Sequence, residues 1–386
     1  MSFESWEALT PADLRRRGGA KWTTYPDALG TFIAESDFGT APAVDRAVRE
    51  RVEHASFGYS TKAERDAVGT SFSGWAADRL RWHVEPAQVG VLPEVLTSLE
   101  LMLDHFSEPG TPVILPTPAY MPFFTLLRDH RREVIETPLL REGDGWMFDY
   151  EAIEGAFAAG ARLFMLVNPA NPTGTVFTRE QLLPLVDIVD RHGGRVWADE
   201  IHAPILFDGR THVPYASLSE AAAAHTVTAT SASKGWNIPG LKCSQIVFTN
   251  PADRTLWRRA GRWRAHTVGY LGLFATIAAY DEGREWLDEL TTHLQGHRAL
   301  LGELIAEHLP RARHVPPQAT YLAWLDLRDY GITGGLQSYL LREAGVAGTD
   351  GLLCGRDFDG FYRINFATPA TILEELVARL GRALPA

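Results

Sequence analysis

Lys234 lies in "SASKGWNIPG" (231–240), directly after the β-rich run "HTVTAT". A lysine hemmed in by Ser, Gly, Trp and Pro at the end of a buried strand is badly placed to be a solvated surface cation. Its most useful chemistry is a Schiff base with a carbonyl, and burial lowers a lysine pKa toward that role. Three more strand ends carry distinctive polar groups: "VGVLPE", "NPANPTG" after "LFMLV", and "DEIHAP" after "RVWA". Ligands of open α/β sheets collect beyond the carboxyl ends of the strands, so four such ends can build one site.

The common cofactor for a lysine of this kind is pyridoxal phosphate (PLP). It needs the lysine, an acid near its ring nitrogen and a phosphate cradle. Asp199 can hold the pyridinium proton, Asn171 and His202 can contact the ring hydroxyl, and Tyr120 in "PTPAYMPF" can stack on the ring. A helix starting after "VGVL" offers free backbone N–H groups to the phosphate. Ser231, Ser233 and Lys242 add hydroxyl and ammonium donors. Arg363 stands inside the apolar strand "FYRINFA" and needs a partner, either a structural carboxylate or that of a substrate. Singly, each residue has a plainer reading. Asp199 can be a cap or half of an ion pair, "NPTG" a β-turn, His202 a structural histidine, Tyr120 core and Lys242 solvated. The combination and its order favour a site.

The elements that must position these groups alternate along the chain. Apolar strands ("QVGVL", "TPVILP", "ARLFMLVN", "GRVWADE", "HTVTAT", "CSQIVFTN") are separated by amphipathic helical patterns. Such strands read as a mostly parallel sheet covered on both faces. The first ~40 residues read as irregular and turn-rich, and "APAVDRAVRERVEH" as the first helix. After Asp281 a long helix over "GREWLDELTTHLQGHRALLGELIAEHL" leads to a second group, "TYLAWLDLR", "GGLQSYLLREAG", "FYRINFA" and "TILEELVARLGRAL". The expected organisation is an N-terminal segment (1–45) packing with a small C-terminal domain (283–386), and a large domain (46–282) between them.

Composition narrows the partners. The 386 residues are 45% hydrophobic and 22% charged, with 37 Lys and Arg against 48 Asp and Glu, a net charge of −11. That balance argues against nucleic acid or an anionic membrane as partner. Two cysteines exclude a disulfide framework, the N-terminus lacks a signal-peptide run, and "YLGLFATIAAY" is too short to span a bilayer. A cytoplasmic protein is expected. Cys243 reads as a small buried residue. The 13 histidines show no H-E-x-x-H or Cys/His spacing, so no metal site is expected. No G-x-G-x-x-G follows a strand, which removes a nicotinamide dehydrogenase. Trp22, Trp236 and Trp263 are candidates to line the site.

The order "Y", "NPANPTG", "DEIH", "SASK", "RINF" resembles fold-type I PLP enzymes of the aminotransferase class I/II superfamily over almost the whole chain. Within it, "KWTTYPD", "SDFGTAP", "FGYS", "NPANPTGTVF", "WADEIHAPI", "SASKGWNIPGL" and "ATYLAWLDLR" resemble the MalY/PatB branch of cystathionine β-lyase-like C–S lyases. The resemblance implies a seven-stranded, mostly parallel large-domain sheet plus a smaller α+β C-terminal domain. It implies that Lys234 carries the cofactor and moves the substrate proton, with Asp199 at the pyridine nitrogen. Asn171 and His202 fall near the ring oxygen and Tyr120 on the ring. Ser231, Ser233 and the backbone of Leu92, Pro93 and Glu94 fall at the phosphate, and Arg363 at the substrate carboxylate. Tyr59 matches the tyrosine that such homodimers donate to the neighbouring copy's phosphate.

This sequence departs from the branch at Glu35 and Ser36, at Glu94 in the phosphate loop, at Gly235–Trp236 after the lysine, and at Lys242. The implied reaction is β-elimination from cystathionine or another S-substituted cysteine, giving a thiol, pyruvate and ammonia. Transamination on the same residues is the alternative. A non-catalytic regulatory or binding protein on this scaffold is the reading from another class.

Overall fold

The computed structural model describes residues 3–143 and 145–385. Seven strands of these residues form the main sheet: β1 (Val89–Leu92), β2 (Pro112–Thr117), β3 (Glu133–Pro138), β4 (Leu163–Val167), β5 (Arg195–Asp199), β6 (Thr226–Thr230) and β7 (Ser244–Phe248). Their order is β1-β7-β6-β5-β4-β2-β3. Only β7 runs antiparallel to its neighbours. The central strands are buried at nearly every position and rich in Val, Ile, Leu and Thr, because helices cover both faces. β3 lies at an edge and carries Glu133 and Glu136, which suits a strand with one unpaired side.

A second sheet follows the helix Arg284–His308. Its strands are β8 (Arg313–His314), β9 (Leu322–Asp326), β10 (Thr349–Asp350) and β11 (Phe361–Asn365), all antiparallel in the order β8-β9-β11-β10. The N-terminal arm threads into this region. Leu29–Gly30 pairs in parallel with Val346–Ala347, and the Thr31 hydroxyl exchanges hydrogen bonds with the Asn365 backbone.

Several elements differ from the sequence expectation. The first 40 residues are not irregular. They hold short helices at Phe3–Glu7, Pro11–Arg17 and Ala20–Thr23, the second started by a reciprocal Thr10–Asp13 cap. Lys62–Arg79 forms an 18-residue helix despite two glycines and several Ser and Thr that lower helix propensity. A Thr61–Glu64 capping box starts it, and burial of Val68, Phe72 and Trp75 holds it.

Trp236 is fully buried in this same core. Its indole donates to the Gly283 carbonyl at 2.8 Å, and its ring meets Trp75 and Tyr280 edge-on. Trp22 is buried and donates to Asp37, while Trp263 is 78% exposed. None of the three lines the cavity described below, so their expected place at the site is corrected. Trp236 fills space between helices, Trp22 ties the arm to Asp37, and Trp263 stands on the surface.

Candidate active site

Strand register sets the floor of the site. Val167, Asp199 and Ala229 lie level across β4, β5 and β6, so the loops that follow begin at one height. Because β7 is antiparallel, its first residues lie at that same edge, with Ser244 opposite Leu92 of β1. A cavity of about 340 Å³ opens there, within the usual size of a small-ligand site. Phe32, Ile33 and Ala34 of the N-terminal arm wall one side, and Arg363 reaches in from β11.

Lys234 follows β6 in a turn and faces the cavity. Its Nζ donates to the Ala34 carbonyl at 2.7 Å. Gly235 beside it allows the turn to press against "IHAPI", since a Cβ there would fall 2.8 Å from the Pro204 ring. Burial, with Arg363 adding repulsion, lowers the Lys234 pKa to about 8. An amine so placed is uncharged far more often than a surface lysine and is correspondingly nucleophilic.

Asp199 is buried at the end of β5, and its Oδ1 accepts the Ile201 N–H at 3.1 Å. Burial raises its pKa to about 7. His202 is buried one turn further on, and its Nδ1 has no hydrogen-bond partner among the described residues. Burial, helped by the nearby Lys234 and Arg363 charges, pushes its pKa down to about 3 and keeps the ring neutral.

Asn171 follows β4 in "NPANPTG", where Asn168–Pro169 and Asn171–Pro172 are cis. Gly174 closes the turn at φ +69, with Pro317 packed where a side chain would stand. The Asn171 Oδ1 accepts from Arg363 Nη1 at 2.9 Å. Arg363 Nη2 donates to the Phe32 carbonyl and the Thr349 hydroxyl, whereas Nε has no partner among the described residues. The guanidinium is buried and pairs with no carboxylate among the described residues, so its partners there are neutral oxygens. Tyr120 lies half-buried on the wall after β2, and burial raises its pKa.

At the far end, Ser231, Ser233, Pro93, Glu94 and Lys242 line the cavity. The Ser231 hydroxyl donates to the Cys243 carbonyl at 2.8 Å and accepts the Ser233 N–H at 3.0 Å. Lys242 adopts the left-handed conformation at φ +55 and forms an ion pair with Glu94. That pairing accounts for an acidic residue at the start of the helix Val95–Phe106, which Glu94 does not cap with its side chain. Cys243 also lines the wall. Burial pushes its thiol up to about 12, so it stays protonated.

Eleven of the thirteen candidate residues thus share one cavity. Leu92 lies just behind it, fully buried in β1, and Tyr59 lies apart on the surface, 95% exposed. Sequence reasoning missed Ala34, whose carbonyl holds Lys234, and Thr349, which holds Arg363. Both act through contacts between distant segments and leave no motif.

The family model for aminotransferase class I and II matches residues 83–380. The chain belongs to that family. Cystathionine beta-lyase of Corynebacterium glutamicum is 37% identical over 96% of this chain and 98% of its own. Cystathionine beta-lyase PatB of Bacillus subtilis is 33% identical, over 93% of each. These relatives set the chain in the MalY/PatB branch. Among solved structures, the PLP-bound C-S lyase of Staphylococcus hominis superimposes with a TM-score of 0.90 at 26% identity, covering 99% of this chain and 98% of that one.

The residues present fit PLP on their own terms. A buried carboxylate raised to about 7 lacks the cationic N–H that a protonated ring nitrogen brings. The His202 Nδ1, without a partner among the described residues, is free to meet a polar atom of a bound ligand. The depressed Lys234 amine suits condensation with an aldehyde.

Proposed function

We propose that this protein is a PLP-dependent C–S β-lyase, cleaving cystathionine or another S-substituted cysteine to a thiol, pyruvate and ammonia. The observation that carries the reading is one cavity holding an amine lowered to about 8, a buried Asp199 and a buried Arg363 that meets no carboxylate among the described residues. PLP, when bound, supplies an aldehyde for the amines and a ring that accepts the electron pair left at Cα.

The chain's own residues do the rest. Arg363 binds the substrate carboxylate, with Asn171 bracing the guanidinium at 2.9 Å. Lys234 Nζ takes the Cα proton, for which a pKa near the working pH is favourable. With PLP bound, Asp199 would stay ionised against the ring nitrogen, His202 and Asn171 would hold the ring-oxygen side, and Tyr120 would cover the ring face. Ser231, Ser233, Lys242 and the backbone at Leu92, Pro93 and Glu94 would receive the phosphate. The Cβ–S bond then breaks, the thiol leaves, and the remaining enamine hydrolyses to pyruvate and ammonia.

The same reading makes the protein a homodimer in which Tyr59 serves the neighbouring copy's phosphate, which suits its 95% exposure. It keeps the division into 1–45, 46–282 and 283–386, supported by the pairing of Leu29–Gly30 with Val346–Ala347. A cytoplasmic location is supported by two buried, unpaired cysteines. No helix among the described residues is long and apolar enough to cross a membrane.

Incubation with cystathionine and a set of S-substituted cysteines should release pyruvate and free thiol in equal amounts. Absence of both across the set would overturn the reading. Conversion of amino acids lacking a β-leaving group to keto acids would assign transamination instead.

A further inference from the structure

We propose that Glu7, His293 and His297 form a binding site for a divalent transition-metal ion, Zn²⁺ by its donor set, that staples the N-terminal arm to the helix Arg284–His308. The two histidines stand one turn apart and face the same way. Glu7 ends the helix Phe3–Glu7 and brings its Oε1 to 2.6 Å from His293 Nε2 and 3.0 Å from His297 Nε2. The three ligand atoms all lie within 4.8 Å of one another. Two imidazoles and a carboxylate are a frequent zinc set, leaving a fourth position for water.

The surroundings orient these donors as metal ligands are oriented. His297 Nδ1 lies 3.1 Å from the His293 carbonyl and donates to it. Its Nε2 lies 3.0 Å from Glu7 Oε1 yet makes no hydrogen bond among the described residues, so it is left as a buried donor atom beside the carboxylate without being directed at it. The other carboxylate oxygen, Glu7 Oε2, accepts the Ala370 N–H at 2.7 Å and is held in place. Such outer hydrogen bonds fix the direction of metal-binding side chains. Phe38 packs its ring against both imidazoles, at 4.7 and 5.3 Å, and Phe3 lies 5.0 Å from His293. Metal–ligand distances of about 2.0–2.2 Å set tetrahedral ligand atoms roughly 3.3–3.6 Å apart, so the 2.6 Å contact to His293 must open by roughly 0.7–1 Å and the 3.0 Å contact to His297 by roughly 0.3–0.6 Å, which side-chain rotation supplies.

The site ties three distant segments: the arm, the long helix, and the start of the helix Ala370–Ala383. Its consequence reaches the cavity, because Phe38 is four residues from Ala34, the carbonyl that holds Lys234. Local spacing could not show it, since Glu7 is 286 residues from His293.

The test uses tag-free holoenzyme freed of metals with a chelator and titrated with Zn²⁺ alone. Calorimetry and metal analysis should give one equivalent per chain, with unfolding temperature rising on loading. Glu7→Gln, His293→Gln and His297→Gln should each weaken binding by more than the about 10–100-fold typical of losing an outer partner, with the PLP absorbance unchanged. No equivalent bound by the wild type overturns the proposal and leaves an imidazolium–carboxylate cluster. An equivalent that survives all three substitutions overturns it as well. If the variants fail to fold, the wild-type Co²⁺ complex decides, because a bound nitrogen–oxygen set gives visible absorption bands and their absence refutes the site.

Discussion

Two lysines lean on neighbouring carbonyls of the same arm and end in opposite conditions. Lys21 Nζ donates to the Glu35 carbonyl at 3.1 Å, and Lys234 Nζ to the Ala34 carbonyl at 2.7 Å. Lys21 also meets the Asp37 carboxylate at 2.9 Å and the Ala367 carbonyl, so all three of its hydrogens are used. The Trp22 indole holds the second Asp37 oxygen at 2.8 Å. Lys234 has no ion-pair partner among the described residues and faces the cavity, where burial first and the Arg363 charge second press its pKa down. Burial alone therefore does not make a lysine reactive. A matched carboxylate makes it a structural tie, and its removal to arm's length makes it a nucleophile. The two motifs that flank the arm, "KW" and "SDF", are thereby accounted for as one buried ion pair.

The largest expected effect separates the two by activity. Lys234→Ala should lower kcat by about 10²–10⁴-fold, the usual range for a lost acid–base group, and abolish the visible absorbance of bound PLP. Lys21→Met, measured where it remains folded, should keep kcat within a few-fold and retain that absorbance. Steady-state kinetics with the spectra decide it. Loss of kcat in folded Lys21→Met would erase the distinction.

Stability should separate them with opposite signs. Between about pH 8 and 10.5 the unfolded chain binds a proton at residue 234 that the folded, cofactor-free chain does not. The cost of burying that charge is fully present below about pH 8 and fades as pH rises toward 10.5, so this group makes stability rise with pH across the window. Lys234→Met should then stabilise the cofactor-free protein at pH 7 by about 1–3 kcal/mol. Lys21→Met leaves Asp37 buried without its partner and should destabilise by about 3–5 kcal/mol. Denaturant unfolding at pH 7 and pH 10 tests both. Equal losses in the two variants would mean that the two sites differ less than their contacts imply.

What could be read from the chain follows the same divide. Lys234, Asp199, Asn171 and His202 stand at strand ends, and strand periodicity with apolar runs locates such ends directly. The cavity floor was legible for that reason. The walls were not. Ala34, Thr349 and the Lys21–Asp37 pair come from segments joined only by tertiary contacts, and nothing local marks them. Trp236 misled because its place next to the lysine in sequence says nothing of its side chain, which points away into the helix layer. The helix Lys62–Arg79 was hidden by its glycines. Gly69 is required there because a Cβ would fall 2.9 Å from the Pro86 carbonyl oxygen, a constraint that propensity cannot express.

The smallest expected effect concerns a third lysine, which lies between the two extremes. Lys242 is paired, like Lys21, but with the half-exposed Glu94 and at the rim of the cavity, like Lys234. In the proposed arrangement its charge would be shared between a protein carboxylate and the cofactor phosphate. An exposed pair of this kind is worth about 0–1 kcal/mol, so it can yield where the buried Lys21–Asp37 pair cannot. Glu94→Gln releases Lys242 and removes a negative charge from the start of the helix Val95–Phe106, where anions are favoured. Equilibrium titration should show PLP bound up to about fivefold more tightly, the factor that 1 kcal/mol allows. Lys242→Gln should bind it more weakly, and the double variant should fall between. The gap between wild type and Glu94→Gln should narrow as salt rises, because charges this exposed are screened. A gap that persists unchanged at high salt would mean that Glu94 acts through the shape of the loop and that Lys242 belongs with Lys21 as a structural tie.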